Sequence, residues 1–493
     1  MRKSLVVICS LLSLALQAQK ASNPQPYAAT ITAEDLKKHL YIVASKEMEG
    51  RETATEGERK AAAYIENYFR SLGLLPGNNG SYRQPFPLYQ DSMTNAVLTI
   101  NGQSWQIDKD FAANVNNNHP FSLMARDVLY VGNGVVDSAR DAYKDVTPLG
   151  RIVLVNPGRA SANQYMTAAQ RNGAALLLVV QPNFPRNPSP KGNLSSSEFR
   201  LANFINTFFI SEKMAEAIMG ADWAAAKAGN APSKHYATEL SVAYNETVNK
   251  LESSNVIGYI EGSDKKDEYV FLTAHYDHNG KRGDSIIFYG ADDDGSGTVS
   301  LLEMAEAFTK AKAQKKGPRR SIVFMAVSGE EKGLLGSAYY SEHPTFPLEK
   351  TTVDLNIDMI GRIDPTRKNG DSMNYVYVVG DDKLSSDLRP ISEGVNSKYT
   401  KLELDYKFND PNDRQRIYFR SDHYNFARKG VPIIFYFNGT HADYHRPTDT
   451  PDKINYDLFA KRAQFVFYTA WEMANRQDML KRDLSLQVPP RGF

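Results

Sequence analysis

From residue 255 onward, the chain alternates short apolar runs with helical segments. Four of the apolar runs read as strands: VFLTAHYDH (270–278), IVFMAVSGEE (322–331), VDLNIDMIG (353–361) and VPIIFYFNGTHADYH (431–445). Continuous apolar strands that alternate with helices are typical of a parallel sheet covered on both faces. The sequence therefore predicts an α/β fold with a doubly wound, largely parallel sheet and helices on both faces.

Each of these four runs ends in His, Asp or Glu. The first delivers His275 and Asp277, the second Glu330 and Glu331, and the third Asp358. In open α/β sheets, ligands bind in the loops at the carboxyl ends of the strands. We therefore expect these side chains to meet at one edge of the sheet and to form a site there.

The N-terminus has the features of a secretory signal peptide. A basic start is followed by an apolar run from Leu5 to Leu16 and then by small and polar residues, so cleavage is expected after Ala18. The run is shorter than the roughly 20 residues that a membrane-spanning helix needs. We therefore expect residues 1–18 to be removed, no stable membrane anchor, and a secreted or periplasmic protein.

Composition limits the kind of site and the kind of partner. The only cysteine, Cys9, lies within the predicted signal peptide, so any metal ion must be held by His, Asp and Glu. The 58 basic and 57 acidic residues give a net charge of +1. Such a balance provides no general attraction for nucleic acid, and no nucleic-acid partner is expected.

The polar residues at the strand ends suit metal-assisted hydrolysis. His275 and Asp277 project to the same side of an extended segment, so Asp277 can orient the His275 imidazole toward a metal ion. One of the adjacent Glu330 and Glu331 can bind metal while the other accepts a proton from an activated water. Asp358 lies between two apolar residues, where a carboxylate is costly unless it is paired or bound to metal.

Three successive aspartates lie in the loop GADDDGSGT (290–298), between a strand end and a predicted helix. A carboxylate in this loop can reach two metal ions, which in hydrolytic sites lie roughly 3.5–4 Å apart. One aspartate of the three must then bridge the metals, and its neighbours can only support it.

Six sequence blocks, in this order, resemble those of the co-catalytic di-zinc aminopeptidases, the family that includes bacterial leucyl aminopeptidase and resembles glutamate carboxypeptidase. The blocks are TAHYDH, GADDDGSGT, SGEEKGLLGS, NIDMIGR, RSDHYNFARKGVP and DYHRPTDTPDKI. The resemblance covers about residues 250–480, with the two N-terminal helices as its start. It implies two zinc ions per chain, with His275 and Asp358 on one zinc, Glu331 and His445 on the other, and Asp293 as the bridge.

The resemblance also implies roles for residues around these ligands. Glu330 becomes the general base, and Asp277 becomes the partner that orients the first histidine ligand. The peptide bond between Asp293 and Asp294 is expected to be cis, as in the family. Asp292 and Asp294 are then supporting residues of the loop.

Two tyrosines match positions from which family members donate a hydroxyl to the tetrahedral intermediate. These are Tyr444 and Tyr418, and Tyr444 is favoured. His278, His423 and His441 receive no zinc role and are expected to be structural or to line the substrate cleft.

The resemblance divides the chain into four parts. After the signal peptide, residues 19–92 carry the N-terminal helices and residues 251–493 form the catalytic domain. The intervening residues 93–250 resemble an inserted, β-rich protease-associated domain, mainly through GRIVLVNPG and AAQRNGAALLLVV. This segment is expected to shape or cover the substrate cleft.

The leading prediction is a secreted zinc aminopeptidase that hydrolyses N-terminal residues from peptides. A carboxypeptidase or dipeptidase would use the same metal core, and Arg420 or Arg416 could then clamp a C-terminal carboxylate. A non-catalytic binding protein of this fold would have lost metal ligands, and glutaminyl cyclisation needs only one zinc. The complete double set of ligands disfavours both of these alternatives.

Overall fold

The computed structural model describes residues 23–114, 120–138, 141–186, 194–198 and 204–486. The predicted signal peptide, residues 1–18, lies outside this part of the chain. Among the described residues, no helix combines the length and the apolar character that crossing a bilayer requires.

Helices precede the sheet and are also interspersed among its strands. The α-helices of the described chain are α1 (Gln25–Ala28), α2 (Ala33–Val43), α3 (Glu56–Ser71), α4 (Ala162–Arg171), α5 (Glu212–Met219), α6 (Asp222–Lys227), α7 (Gly297–Ala313), α8 (Leu335–Glu342), α9 (Leu388–Tyr399), α10 (His423–Ala427) and α11 (Tyr456–Asn475). Thr32 caps the start of helix α2, because its hydroxyl oxygen accepts a hydrogen bond from the Asp35 N–H.

The strands vary from two residues to a ribbon of 27 residues. They are β1 (Leu75–Pro76), β2 (Arg83–Ile100), β3 (Gln103–Trp105), β4 (Phe111–Asn114), β5 (Phe121–Tyr130), β6 (Ile152–Val155), β7 (Leu176–Val180), β8 (Leu194–Ser195), β9 (Thr207–Ile210), β10 (Lys234–Ile260), β11 (Lys265–His275), β12 (Lys281–Arg282), β13 (Ile286–Ile287), β14 (Arg320–Val327), β15 (Thr351–Ile357), β16 (Tyr375–Val379), β17 (Glu403–Asp405) and β18 (Ile433–Phe437).

One large sheet organises the molecule. Its main path runs β17-β16-β18-β15-β11-β14-β10-β5-β6-β7-β9-β4. The strands β14, β11, β15 and β18 pair in parallel, and β10 and β16 flank them in the antiparallel direction. The parallel group contains the four apolar runs that end in polar residues.

Side chains of β14 alternate between two apolar cores. Ile322 and Phe324 pack in a core with residues of α2, α3, α7 and α11, whereas Val323 and Met325 pack in a core with residues of α8 and α10. Every residue of β14 and of β15 is buried, which explains the continuous apolar run at 322–327 of β14. The predicted α/β class, with a largely parallel sheet and helices on both faces, is confirmed.

Strands β2 and β10 form a long antiparallel ribbon. Strand β10 pairs with β2 between Leu240–Ile100 and Val256–Arg83, with β5 near its start and with β14 near its end. The predicted domain boundaries at residues 93 and 250 therefore fall within paired strands. The hydrogen bonding between β2 and β10 continues past both positions.

The part of the sheet beyond this ribbon has its own apolar cores. Strands β5, β6, β7 and β9 pair in parallel, and helices α4, α5 and α6 contribute side chains to the cores on their two faces. The interpretation of this part as a protease-associated domain stays a prediction.

Substitution of Leu272 can test whether β11 lies in the centre of the sheet, between β14 and β15. It is fully buried and pairs in register with Phe324 of β14 and Leu355 of β15. We expect Leu272→Ala to lower the free energy of unfolding by about 2–5 kcal/mol, because the removed methyl groups leave a cavity. The matched control is Met124→Ala, whose side chain is 71% exposed and whose replacement should change this free energy by less than about 0.5 kcal/mol. Urea unfolding followed by circular dichroism measures both, and an unchanged midpoint for Leu272→Ala would contradict a core position for β11.

Candidate metal centre

Several metal-binding side chains lie just beyond the ends of neighbouring parallel strands. Strand β11 ends at His275, β15 is followed directly by Asp358, and β14 is followed by the turn that carries Glu330 and Glu331. Because β11 pairs in parallel with both β14 and β15, these three ends meet at one edge of the sheet. Asp293 reaches the same edge from the helical turn Ala291–Ser296, which precedes α7.

The Asp293 carboxylate lies between two groups of donors. On one side, His275 Nε2 lies 3.3 Å from Asp293 Oδ1 and 3.7 Å from Asp358 Oδ1. On the other side, His445 Nε2 lies 3.1 Å from Asp293 Oδ2 and 3.1 Å from Glu331 Oε2. The structure thus brings together all five residues that the sequence predicts as metal ligands, with one oxygen of Asp293 on each side.

The chemistry of these donors fits two divalent metal ions. His275 Nε2 and Asp293 Oδ2 are buried, and neither makes a hydrogen bond within the described residues. Buried polar atoms are nearly always hydrogen-bonded. Possible ligand atoms that lie close together without hydrogen bonds to one another therefore fit a shared cation. Each side has one imidazole and one carboxylate of its own and shares the Asp293 carboxylate, a set that suits zinc, which is bound by His nitrogen and Asp or Glu oxygen.

The close packing of acidic and basic groups shifts their pKa values. Burial opposes the charged form of His445, but its contacts with Asp293 and Glu331 raise the pKa of the imidazole to about 10. Burial and Asp293 raise the pKa of Glu331, but contacts with His278 and His445 outweigh them and bring it to about 2. Without a bound metal ion, these two groups therefore stabilise each other as an ion pair.

Glu330 behaves differently from its neighbour Glu331. Burial, together with the charges of Asp358 and Glu331, raises the pKa of the Glu330 carboxyl well above its ordinary value, although His275 opposes this effect. Its Oε2 lies 3.9 Å from His275 Nε2. Glu330 is thus close to the donor groups but is held less tightly than the carboxylates that face the histidines.

Asp277 contacts other groups besides His275. Its Oδ2 accepts a hydrogen bond from the Thr53 hydroxyl at 2.8 Å, and its Oδ1 accepts one from the Glu330 N–H at 3.2 Å. His275 Nδ1 lies 3.7 Å from Asp277 Oδ1 but 3.1 Å from the Asp277 carbonyl oxygen. The structure therefore places the Asp277 carboxylate where it fixes the Glu330 backbone, and the nearer partner of the imidazole is a carbonyl.

The other two aspartates of the triplet support the surrounding backbone, as the resemblance implies. Asp294 Oδ1 accepts hydrogen bonds from the N–H groups of Gly297 at 2.8 Å and Met359 at 3.1 Å. Asp292 Oδ1 accepts one from Gly361 at 2.7 Å. The Asp293–Asp294 peptide bond is cis, as expected.

Arg51 braces the site, and sequence reasoning did not find it. It is fully buried, and its guanidinium donates to the carbonyl oxygens of Val43, Tyr276, Tyr289 and Gly290 at 2.7–2.9 Å. It thereby joins the end of helix α2 to the backbone next to His275 and to the backbone just before the aspartate triplet. Its only sequence signal is a lone arginine in the loop KEMEGRETAT, which is indistinguishable from a solvated one.

Asp449 is a second supporting residue that the sequence did not reveal. Its Oδ2 accepts hydrogen bonds from the N–H groups of Asp292 at 3.0 Å and Asp293 at 3.2 Å. Burial first and then the Asp292 charge raise the pKa of Asp449 to about 6. This contact ties the Asp293 backbone to the loop that carries His445.

Tyr444 and Arg420 lie beside the donors. Arg420 Nη2 donates to the Tyr444 hydroxyl at 2.9 Å, and the Tyr444 ring stacks on His445 with centroids 3.8 Å apart. Both residues line a small cavity together with Asp293, Glu330, Asp358, Met359, Ile417, Phe435, Phe437 and Thr440.

Tyr418 and Arg416 do not line this cavity. They border a separate cavity of about 520 Å³ that also contacts Phe408 and Asn409. Tyr418 follows Ile417 within a single 3-10 turn, and successive side chains of such a turn point about 120° apart, so only Ile417 faces the metal ligands. The alternative placement of Tyr418 at the substrate is therefore not supported by the structure.

Of the three histidines without a predicted zinc role, two have partners elsewhere. His423 Nε2 donates to the Tyr418 carbonyl at 2.7 Å, and burial lowers its pKa to about 3. His441 Nε2 lies 3.1 Å from Asp292 Oδ2. His278 instead lies among the metal-binding side chains, with Nδ1 2.8 Å from Glu331 Oε1.

Comparison with known proteins agrees with this geometry. Residues 255–470 match the model of peptidase family M28. A vacuolar membrane protease of Saccharomyces cerevisiae is 30% identical over 169 residues, which are 34% of this chain and 16% of that protein. Leucine aminopeptidase 1 of Uncinocarpus reesii is 26% identical over 294 residues, which are 58% of this chain and 70% of that protein.

A solved structure extends the comparison to almost the whole chain. BSAP, a zinc aminopeptidase from Bacillus subtilis, aligns with a TM-score of 0.56 and 20% identity over 93% of this chain and 99% of that one. This similarity concerns the fold, whereas the family match concerns the segment that contains the metal-binding side chains. Residues 255–470, the segment that contains the five predicted ligands, are thus similar to peptidase family M28.

Proposed function

We propose that this chain is a zinc-dependent exopeptidase and, more specifically, an aminopeptidase that removes N-terminal residues from peptides. The observation that carries the proposal is the position of Asp293, whose two carboxylate oxygens lie 3.3 Å from His275 Nε2 and 3.1 Å from His445 Nε2. A single carboxylate shared by two donor groups is the arrangement that two-metal hydrolases require. The signal peptide expected at residues 1–18 supports export of the enzyme.

The proposed ligands divide into two sets around Asp293. His275 and Asp358 hold one zinc, and Glu331 and His445 hold the other. Two zinc ions bound there would polarise the scissile carbonyl group and lower the pKa of a water molecule. The remaining chemistry belongs to the side chains of the chain itself.

Glu330 is the proposed general base. It lines the cavity with Asp293 and Asp358, and the Asp277 carboxylate fixes its backbone N–H. In this position Glu330 can take a proton from the attacking water. It can then give this proton to the amino group that leaves when the C–N bond breaks.

Tyr444 is the proposed donor to the oxygen of the tetrahedral intermediate. Because Arg420 donates to the Tyr444 oxygen, the hydroxyl still has its own proton to give. The stacking of Tyr444 on His445 holds the hydroxyl beside the metal ligands. A hydrogen bond aimed at developing negative charge lowers the barrier most when the donor is held in place before reaction.

The charges around the cavity favour a free amino group of the substrate. Three carboxylates, those of Asp293, Glu330 and Asp358, line it, and the arginine that lines it, Arg420, already donates to Tyr444. Carboxypeptidase or dipeptidase activity remains the alternative, because the Arg420 guanidinium has further N–H groups that could pair with a C-terminal carboxylate.

The first prediction concerns metal content. The purified chain, dialysed against zinc and then against metal-free buffer, should contain close to two zinc ions per chain, because five ligands with one shared carboxylate form two sets. Inductively coupled plasma mass spectrometry measures this ratio. A ratio of one or below would rule out the two-metal arrangement.

The second prediction separates the two adjacent glutamates. Glu330→Gln should lose at least about a hundredfold in kcat, because the amide cannot accept a proton, while zinc content stays unchanged. Glu331→Gln is the matched variant and should lose zinc from the protein. If Glu330→Gln stays fully active, or if Glu331→Gln loses activity but keeps both zinc ions, the two roles are assigned wrongly.

The third prediction concerns the direction of attack. A peptide acetylated at its N-terminus should not be cleaved, and the same peptide amidated at its C-terminus should be cleaved at a rate close to that of the free peptide. Mass spectrometry of the products identifies the bond that breaks. Loss of cleavage on amidation alone would support the carboxypeptidase alternative, in which Arg420→Ala should then raise KM.

A further inference from the structure

His278 is a buried histidine for which the proposed function provides no role. It lies three residues after His275 and has no exposed surface. Neither of its ring nitrogens makes a hydrogen bond within the described residues. An imidazole that gives up water without gaining a partner is costly, so its position calls for a binding partner of another kind.

The surroundings of the His278 Nδ1 atom match those of a metal ligand. Nδ1 lies 2.8 Å from Glu331 Oε1 and 3.9 Å from Asp293 Oδ2. Potential ligand atoms of His278, Asp293 and Glu331 all lie within 4.8 Å of one another. His275 Nε2 shows the same combination of close carboxylates and no hydrogen bond.

The backbone fixes the imidazole in this position. The His278 N–H donates to the Arg51 carbonyl oxygen at 3.1 Å. The ring lies against Gly290, where an added Cβ atom would come within 2.5 Å of His278 Cγ and Cδ2. Gly290 has a φ of 56°, so the chain both approaches the ring closely and adopts a conformation that suits glycine at this point.

We propose that His278 Nδ1 is a fourth protein ligand of the metal ion held by Asp293, Glu331 and His445. This inference rests on the proposed two-metal site. It makes the two sides unequal, because the Glu331 side then has two imidazoles and the Asp358 side has one. Added imidazole favours zinc, cobalt and copper over magnesium, calcium and manganese. The Glu331 side should therefore bind zinc more tightly and release it last on chelation.

A simpler role for His278 would be a hydrogen bond that positions Glu331. Asn279 already fills that role, because its Nδ2 donates to the same Oε1 atom at 3.0 Å. The contact of His278 Nδ1 with Oε1 is shorter yet lacks hydrogen-bond geometry. The 2.8 Å distance suits either a hydrogen bond or a shared cation, and the lack of hydrogen-bond geometry favours the shared cation.

The test measures zinc affinity by competition with a chromophoric chelator in the full chain and in three variants. His278→Ala removes the side chain, and His278→Asn keeps an N–H donor near the position of Nδ1 but replaces the imidazole. Both should weaken zinc binding at one of the two sites by more than about a hundredfold. Asn279→Ala is the matched control, which removes a hydrogen bond to Glu331 and should lose at most the 10–100-fold typical of such partners.

The possible outcomes separate this inference from the proposed function. If the unmodified chain binds one zinc ion or none, the two-metal site fails and this inference fails with it. If the chain binds two and His278→Asn retains wild-type affinity, only the coordination by His278 is overturned. Circular dichroism of the metal-free variants checks that each one folds.

A measurement on the unmodified chain decides the question even if the variants do not fold. The chain is labelled with ¹⁵N-histidine and loaded with ¹¹¹Cd²⁺. One histidine should then show scalar coupling from cadmium to Nδ1, and this signal is expected from His278. His275 and His445 face Asp293 through Nε2 and should couple through that atom. Coupling only through Nε2 would overturn the proposal.

Discussion

Repulsion among carboxylates at the ends of the parallel strands is the constraint on which this site depends. Asp293, the adjacent pair Glu330 and Glu331, and Asp358 come from three different loops and are all within reach of His275 or His445. Two like unit charges 4 Å apart repel by about 4 kcal/mol at an effective dielectric constant of 20. Such a group of side chains is stable only if positive charge is placed among it, which is the physical reason that it fits divalent cations.

The surrounding protein holds these side chains through hydrogen bonds to the backbone. Arg51 donates to four carbonyl groups, and Asp292, Asp294 and Asp449 accept from N–H groups of the same loops. Loops at the ends of buried strands have peptide groups that the sheet no longer pairs, and a buried peptide group without a partner is costly. Charged side chains that pair with these groups lower that cost and fix the loops before any metal ion arrives.

The strand ends could be predicted from sequence because the pattern that makes a buried strand also shows where it stops. The apolar runs predicted the parallel strands β11, β14, β15 and β18. The polar residues at the ends of these runs predicted His275, Glu330, Glu331 and Asp358 as site residues. The choice of Asp293 among three aspartates, and of Glu331 over Glu330 as a ligand, needed the family resemblance. Identical side chains one residue apart differ only in the direction that the backbone gives them.

Other features depend on contacts between distant segments and leave no local pattern. Arg51 reaches carbonyl groups more than 220 residues away, and Asp449 binds amides about 157 residues away. The boundaries predicted at residues 93 and 250 lie within strands β2 and β10. The other edge of β10 pairs with β5 near its start and with β14 near its end, while its pairing with β2 continues past both positions.

The loop that follows β18 carries both His445, which lies beside Asp293 and Glu331, and Tyr444, which lines the small cavity. His445 is the most exposed of the five predicted ligands, at 41% of its side chain, and it adopts a φ of 55°. The Tyr444 ring stacks on His445, and its hydroxyl accepts a hydrogen bond from Arg420. Tyr444 and Arg420 both line the cavity. Asp449 ties the far end of this loop to the Asp293 backbone. Because the Tyr444 ring stacks directly on His445, any contact that fixes the His445 imidazole also fixes the Tyr444 hydroxyl beside the cavity.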